Sequence, residues 1–178
     1  MVYYEDDEII IRDIIESDVV SLFMWRIDKR VNQHDPRPIP QDSKTLRKEC
    51  ELYAKMFDDD IMINHEEDNK YKYFIITDKE HNPIGFINLF SINKKNKDAE
   101  LGIKIGEKSY WNKGIGSKSC KVILKHIFGN LGLRRIHIET SESNIGARRL
   151  CSKLGFTQCD EYVEDENFKF IVMELVKK

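Results

Sequence analysis

The sequence predicts an α/β domain: a mixed central β-sheet with helices on both faces. Three observations carry that reading. Short apolar or alternating runs, such as Ile9-Ile10-Ile11 and Ala99 to Ile105, have the character of strands. Longer segments repeat apolar residues every three or four positions, as one face of a helix requires. The two kinds follow each other in the order β-α-α-β-β-β-α-β-α-β-β, with no internal repeat and no low-complexity segment.

Ile9 to Ile11 is read as the first strand. Ser17-Asp18 marks a helix start, followed by Val19, Val20, Leu22, Phe23, Trp25 and Arg26. Pro36, Pro38 and Pro40 make an extended loop, because proline fixes φ and donates no hydrogen bond. A second helix begins after Asp42-Ser43, with Leu46, Cys50, Tyr53, Met56 and Phe57 as its apolar face. Asp58 to Asp68 is acidic and reads as a loop. Strands over Tyr71 to Thr77 and Ile84 to Ser91 are joined by a turn at His81-Asn82-Pro83. A lysine-rich turn, Asn93 to Asp98, leads into Ala99 to Ile105, where Leu101, Ile103 and Ile105 alternate with Glu100, Gly102 and Lys104. Gly114 to Phe128 is a helix bracketed at its end by Gly129 and Gly132. A strand over Arg134 to Thr140 and a helix over Ala147 to Leu154 come next. Phe156 to Val163 and Phe168 to Val176 close the chain as an antiparallel pair.

The 178 residues suit a single domain spanning 1–178 with a core of its own. Hydrophobic residues make up 40% and charged residues 34%, the balance of a soluble protein. The formal net charge of −2 supplies no field that would recruit nucleic acid or a membrane surface. No apolar run approaches the ~20 residues of a membrane helix. Met1 to Glu8 is acidic, unlike a secretory signal, so the expected location is cytoplasmic. Cys50, Cys120, Cys151 and Cys159 form no C-x-x-C pair and the histidines are scattered. The expectation is therefore buried or semi-buried free thiols at Cys50, Cys120 and Cys159, no disulfide framework and no metal site.

The chemistry concentrates in Tyr110-Trp111-Asn112-Lys113-Gly114-Ile115-Gly116. Here a strand runs into a glycine-bearing loop and the loop into a helix. Glycines let the backbone turn sharply and come close to a ligand. A helix start leaves N–H groups unpaired and gathers partial positive charge. Such a junction suits a pyrophosphate, with Lys113 and Lys118 as further charges around it. No G-K-[ST] follows the second glycine, so the loop is not a P-loop, and the G-x-G-x-x-G of dinucleotide folds is missing. A lone G-x-G is equally a tight turn.

A second block, Asn144-x-x-Ala147-x-x-Leu150-x-x-Lys153-x-Gly155-Phe156, lies downstream. Together the two blocks resemble the GNAT superfamily of N-acetyltransferases, whose signature Q/R-x-x-G-x-G/A stands at this junction. Trp111 occupies the Gln/Arg position, as in the branch containing ribosomal-protein and some antibiotic acetyltransferases. The resemblance is specific over roughly positions 84 to 175, and Trp25-Arg26 is reminiscent of the same branch. It implies acetyl-CoA as cosubstrate and no metal. The pyrophosphate would rest on the N–H groups of Lys113, Gly114, Ile115, Gly116 and Ser117, with Trp111, Asn112 and Arg148 also in the cosubstrate site. The pantetheine arm would pair with the strand at Ile103, Lys104 and Ile105, which would splay from Arg134 to Thr140. Asn144 would bond the pantetheine or cap its own helix.

The same resemblance puts Glu100 at the position of a general base that takes the amine proton through a water. The other reading of Glu100 is a strand-face carboxylate paired with lysine or solvent. Cys151 stands where the family often has a tyrosine acid. It is either a replacement acid for the thiolate or a packing residue. The oxyanion would be held by a backbone N–H near Ile103 or Ile105. The acceptor expected is a small-molecule or peptide amine such as a polyamine, an aminoglycoside or a protein N-terminus. Asp58-Asp59-Asp60, Glu66-Glu67-Asp68, Glu161 and Glu164-Asp165-Glu166 could attract such a cation or be solvated loops. Trp25, Tyr53 and Tyr162 could wall its pocket or belong to the core. The chain is read as a monomer or homodimer. A different class, a regulatory module that binds acyl-CoA without turnover, is the alternative, and nucleotide binding at the same loop is a weaker one.

Overall fold

The fold is set by a chain that keeps returning to one sheet. A computed structural model describes residues 1–62, 70–164 and 168–177. In chain order its elements are β1 (Val2–Glu5), β2 (Ile10–Asp13), α1 (Asp18–Ile27), α2 (Ser43–Met56), β3 (Lys72–Thr77), β4 (Pro83–Asn93), β5 (Asp98–Ile105), α3 (Ile115–Gly129), β6 (Arg135–Ser141), α4 (Ile145–Lys153), β7 (Thr157–Glu164) and β8 (Phe168–Val176). All the strands join in one sheet of order β1-β2-β3-β4-β5-β6-β8-β7. Neighbours are antiparallel except the central pair β5 and β6, which is parallel and joined by the crossover helix α3. The mixed sheet expected from the sequence is the one observed.

Alternation along the strands decides which helices cover which face. Phe74 and Ile76 of β3, Ile87 and Leu89 of β4, Leu101 of β5, and Ile136 and Ile138 of β6 meet Ile115, Ile123 and Ile127 of α3 and Cys151 of α4 in the larger core. Residues of opposite parity, Ile75, Tyr73 and Phe86, meet Leu22 of α1, Tyr53 of α2 and Phe57 in a smaller second core. The second core fills one end of its face and leaves the polar residues of β5 and β6 uncovered by it.

Three local features depart from the sequence reading. Val2-Tyr3-Tyr4-Glu5, within the acidic start, forms the edge strand β1, held by pairing with β2. Phe57–Met62 continues α2 as a π-helix where a loop was expected, because buried Phe57 and partly buried Ile61 and Met62 pack on the second core. The apolar face of α2 is shorter than its spacing suggests. Tyr53 and Phe57 are buried, whereas Leu46 and Cys50 are exposed, since the helix reaches that core through its C-terminal end. Of the acidic runs, Glu66-Glu67-Asp68 and Asp165-Glu166 lie outside the described residues.

The start of α1 is fixed by a buried charge. Asp18, 1% exposed, takes two 2.8 Å hydrogen bonds from the Arg12 guanidinium and one from the Ile15 N–H at 2.8 Å. Asp18, not Ser17, therefore supplies the side-chain acceptor at this end. Removing one member of such a pair strands the other charge, at a cost of ~3–5 kcal/mol. Asp18→Ala should lower the urea midpoint accordingly; an unchanged midpoint would show that the pair contributes nothing net.

Candidate active site

β5 is paired with β4 along its length, out to Gly85 opposite Ile105. With β6 it is paired only at Asp98–Arg135, Ala99–Ile136 and Glu100–His137. Beyond that rung β6 runs on to Ser141 in register with β8, while β5 continues alone on that side to Ile105. The parting expected from the sequence is thus present. It opens a wedge in the middle of the sheet, lined by main-chain groups of β5 that a continuous ladder would have consumed.

The glycine loop closes the wide end of the wedge. A 3₁₀ turn at Lys108–Tyr110 leads to Asn112 at φ 61° and Gly114 at φ 81°, both left-handed. Gly114 is the N-cap of α3 and offers no side-chain acceptor, so the first-turn N–H groups point out of the helix unclaimed by a cap. A Cβ at Gly114 would meet nothing within 4 Å, so this turn faces open space. A Cβ at Gly116 would lie 3.4 Å from Ile103 Cδ1, 3.8 Å from Ile105 and 3.9 Å from Leu150. The first turn of α3 therefore rests directly on β5 and α4. Trp111 fastens the loop to the strand: its indole N–H donates to the Ile105 carbonyl at 2.7 Å. Lys113 is exposed, its ammonium 5.5 Å from the centre of the Tyr110 ring. Lys118 does not stand over the loop as expected. It pairs with Asp6 at 2.8 Å and with Glu8, tying α3 to the β1–β2 turn.

At the narrow end, Glu100 and His137 face each other across the last shared rung, with His137 Nε2 3.6 Å from a Glu100 carboxylate oxygen. Their side chains are 17% and 21% exposed. Glu139, two residues along β6, completes a group whose ligand atoms all lie within 4.8 Å of one another. Tyr162 reaches across from β7 and donates to Glu139 at 2.5 Å. Local burial of its hydroxyl, reinforced by that carboxylate, holds the phenol above its ordinary range. His137 and Glu139 were not singled out in the sequence. The alternation Arg135-Ile136-His137-Ile138-Glu139 puts them on one face, but strand register alone brings that face to Glu100.

The remaining expected residues fall in several places. Ile103 and Ile105 pack against the larger core. The Lys104 side chain leaves the opposite face and donates to Asn32 at 2.5 Å; burial lowers its pKa. Asn32 in turn donates to the carbonyls of Trp25, Arg26 and Asp28, locking the end of α1 over β5. Trp25 lies on Gly106, where a Cβ would come 2.0 Å from the indole, and its N–H donates to Glu107 at 3.0 Å. Trp25 is buried and Tyr53 belongs to the second core, so these two aromatics pack as core residues. Asn144 caps α4, accepting from the Ala147 N–H at 3.1 Å. Arg148 donates to the Glu142 carbonyl at 3.2 Å. Ser117 is partly buried in the first turn of α3. Glu161 is paired with Lys169 at 3.0 Å. Cys151 is 1% exposed inside the larger core, and burial pushes its thiol up to about 11. The side chain is enclosed by that core.

A family model for the acetyltransferase (GNAT) domain matches residues 8–157. An uncharacterised protein of Methanocaldococcus jannaschii is 29% identical over 163 residues, which are 91% of this chain and 31% of that protein. A spermidine N(1)-acetyltransferase of Vibrio cholerae is 29% identical over 101 residues, 57% of this chain and 58% of that protein. The chain thus spans from under a third to under three fifths of the length of these relatives. The solved structure of spermidine N-acetyltransferase from Vibrio cholerae, in complex with CoA and spermine, superposes with a TM-score of 0.76 at 19% identity, covering 96% of each chain. No helix among the described residues is long and apolar enough to cross a membrane.

Burial sorts the four thiols. Cys50 and Cys159 are exposed where burial was expected, because the outer part of α2 and the edge strand β7 carry no covering layer, whereas Cys120 and Cys151 are buried and pushed up to about 12 and about 11. With Ellman's reagent at pH 8, two thiols per chain should react at once and two only on unfolding. Rapid titration of all four would mean that the α3–α4 core is open.

Proposed function

We propose that this chain, which belongs to the acetyltransferase (GNAT) family, is an acetyl-CoA-dependent N-acetyltransferase acting on a primary amine. One observation carries the reading: a sheet whose two central strands part at Glu100–His137, with the wedge ending at an uncapped, open helix start. The residues fit the cosubstrate. Amides from Lys113 to Ser117 would take the pyrophosphate at the positive end of α3. The free edge of β5 from Leu101 to Ile105 would take the amide-bearing pantetheine arm as if it were another strand. Trp111 acts at one remove, fixing the loop against Ile105.

Acetyl-CoA supplies an activated thioester. Glu100 accepts a proton from the acceptor ammonium so that a neutral amine can attack. A backbone N–H of β5 near Ile103 or Ile105 stabilises the oxyanion. Solvent is the proton source for the departing thiolate, because Cys151 is enclosed in the core. The spermidine acetyltransferases among the similar proteins, and the anionic character of Glu100 and Glu139, favour a cationic acceptor such as a polyamine over a neutral amine. A peptide N-terminus carries the same charge and belongs in the same panel. The buried Cys151 is the observation that favours the second reading, an acyl-CoA-binding module without turnover.

Gly114→Val forces a β-branched residue to φ 81°, and calorimetry should show acetyl-CoA binding lost. Wild-type affinity in that variant would exclude the loop as the pyrophosphate site. Glu100→Gln should lower kcat by ~10²–10⁴ with acetyl-CoA binding retained. Full turnover at neutral pH would remove Glu100 from the mechanism. Tight acetyl-CoA binding without acetylation of polyamines, aminoglycosides or peptides would select the binding module.

A further inference from the structure

The acetyl-transfer reading gives Glu100 a task but leaves its neighbour unexplained. His137 stands opposite Glu100 on the last rung before the strands part. Its Nδ1 is buried and has no hydrogen-bond partner. Among the described residues its recorded polar contact is Nε2 against Glu100 at 3.6 Å. That distance is too long for a hydrogen bond and right for an ion pair. An imidazole with one nitrogen enclosed and unsatisfied is a poor filler for a strand face, where an apolar side chain would cost nothing in desolvation. What it adds is a charge that can be switched on or off beside the carboxylate.

We propose that His137 is a positioning residue that determines when Glu100 can receive the acceptor amine. Neutral, His137 leaves the Glu100 carboxylate open to an incoming ammonium. Protonated, it occupies that carboxylate and repels the ammonium. The groups that face it are Glu100 from β5, Glu139 from its own strand, Glu174 from β8 and Tyr162 from β7 through Glu139. Glu174 is engaged by Arg135 at 2.6 Å and Glu139 by Tyr162, so Glu100 is the carboxylate left to answer His137.

The protons balance without a bond to His137 being made or broken. Forming the C–N bond and breaking the C–S bond removes two protons from the ammonium. Both pass to solvent, one of them through Glu100, and solvent returns one to the thiolate, so that one proton is released per turnover.

This inference rests on the acetyl-transfer reading, and two readouts separate their failures. The first is the pH profile of kcat/KM for wild type and His137→Gln, with acetyl-CoA saturating and spermidine or a short peptide with a free N-terminus as acceptor. Wild type should lose roughly tenfold per pH unit on its acid limb, as one titrating group requires. His137→Gln should flatten that limb while changing kcat at pH 8 by no more than a few fold. The second is calorimetric binding of spermidine to the CoA-bound protein at pH 6 and pH 8. Wild type should bind more weakly at pH 6, and His137→Gln should bind equally at both. An active wild type whose acid limb and binding are unaltered by His137→Gln overturns the inference alone. A wild type that binds acetyl-CoA but acetylates none of the amines at any pH overturns the transferase reading, and the inference with it.

Discussion

The proposed function of this molecule depends on a ladder that stops. A parallel pair of central strands is ordinarily the most thoroughly satisfied part of a sheet, buried on both faces and bonded on both edges. Here β5 and β6 share only three residue pairs before they separate. The backbone of β5 beyond Glu100 is left needing partners while its side chains stay fixed by β4 and by the core under α3. That combination, rigid on three sides and unsatisfied on the fourth, is what a strand-like ligand requires. The crossover through α3 delivers the open helix start to the same place, because the connection after β5 turns back through a 3₁₀ turn and is bonded to Ile105 by Trp111.

The wedge persists because its rims are fastened independently. On one rim Trp111 bonds the Ile105 carbonyl, and Gly116 lets α3 sit within van der Waals reach of Ile103 and Ile105. On the other, β6 is paired with β8 over its whole length. Above the sheet, Asn32 gathers three carbonyls at the end of α1 and accepts from Lys104, and the bond between His34 and Ser143 carries the same segment across to the β6–α4 turn. The Lys104 and Trp111 side chains thus hold the frame, while the backbone of β5 keeps its free edge.

How much could be read from the sequence follows from the range over which each signal acts. Helices and strands were legible where side-chain period is a local matter, as in Ala99 to Ile105 or Gly114 to Phe128. The glycine loop was legible because its parts are contiguous. β1 was not, since Val2-Tyr3-Tyr4-Glu5 becomes a strand by pairing with β2, and its acidic setting resembles a tail. The π-helical turn after α2 was hidden by three consecutive aspartates, although Phe57 and Met62 on either side hold it to the core. Lys118 was misread for the same reason that His137 was missed. Its partners Asp6 and Glu8 are more than a hundred residues away, and register, not spacing, decides who meets whom.

The chain contains two tryptophans, Trp25 and Trp111, and both lie at the end of β5. One indole covers Gly106 and bonds Glu107; the other bonds Ile105. Tryptophan fluorescence from this protein therefore originates at the end of β5, beside the mouth of the wedge. The unmodified molecule carries its own optical probe for occupancy of that mouth, and a change in emission reports there without a label being introduced.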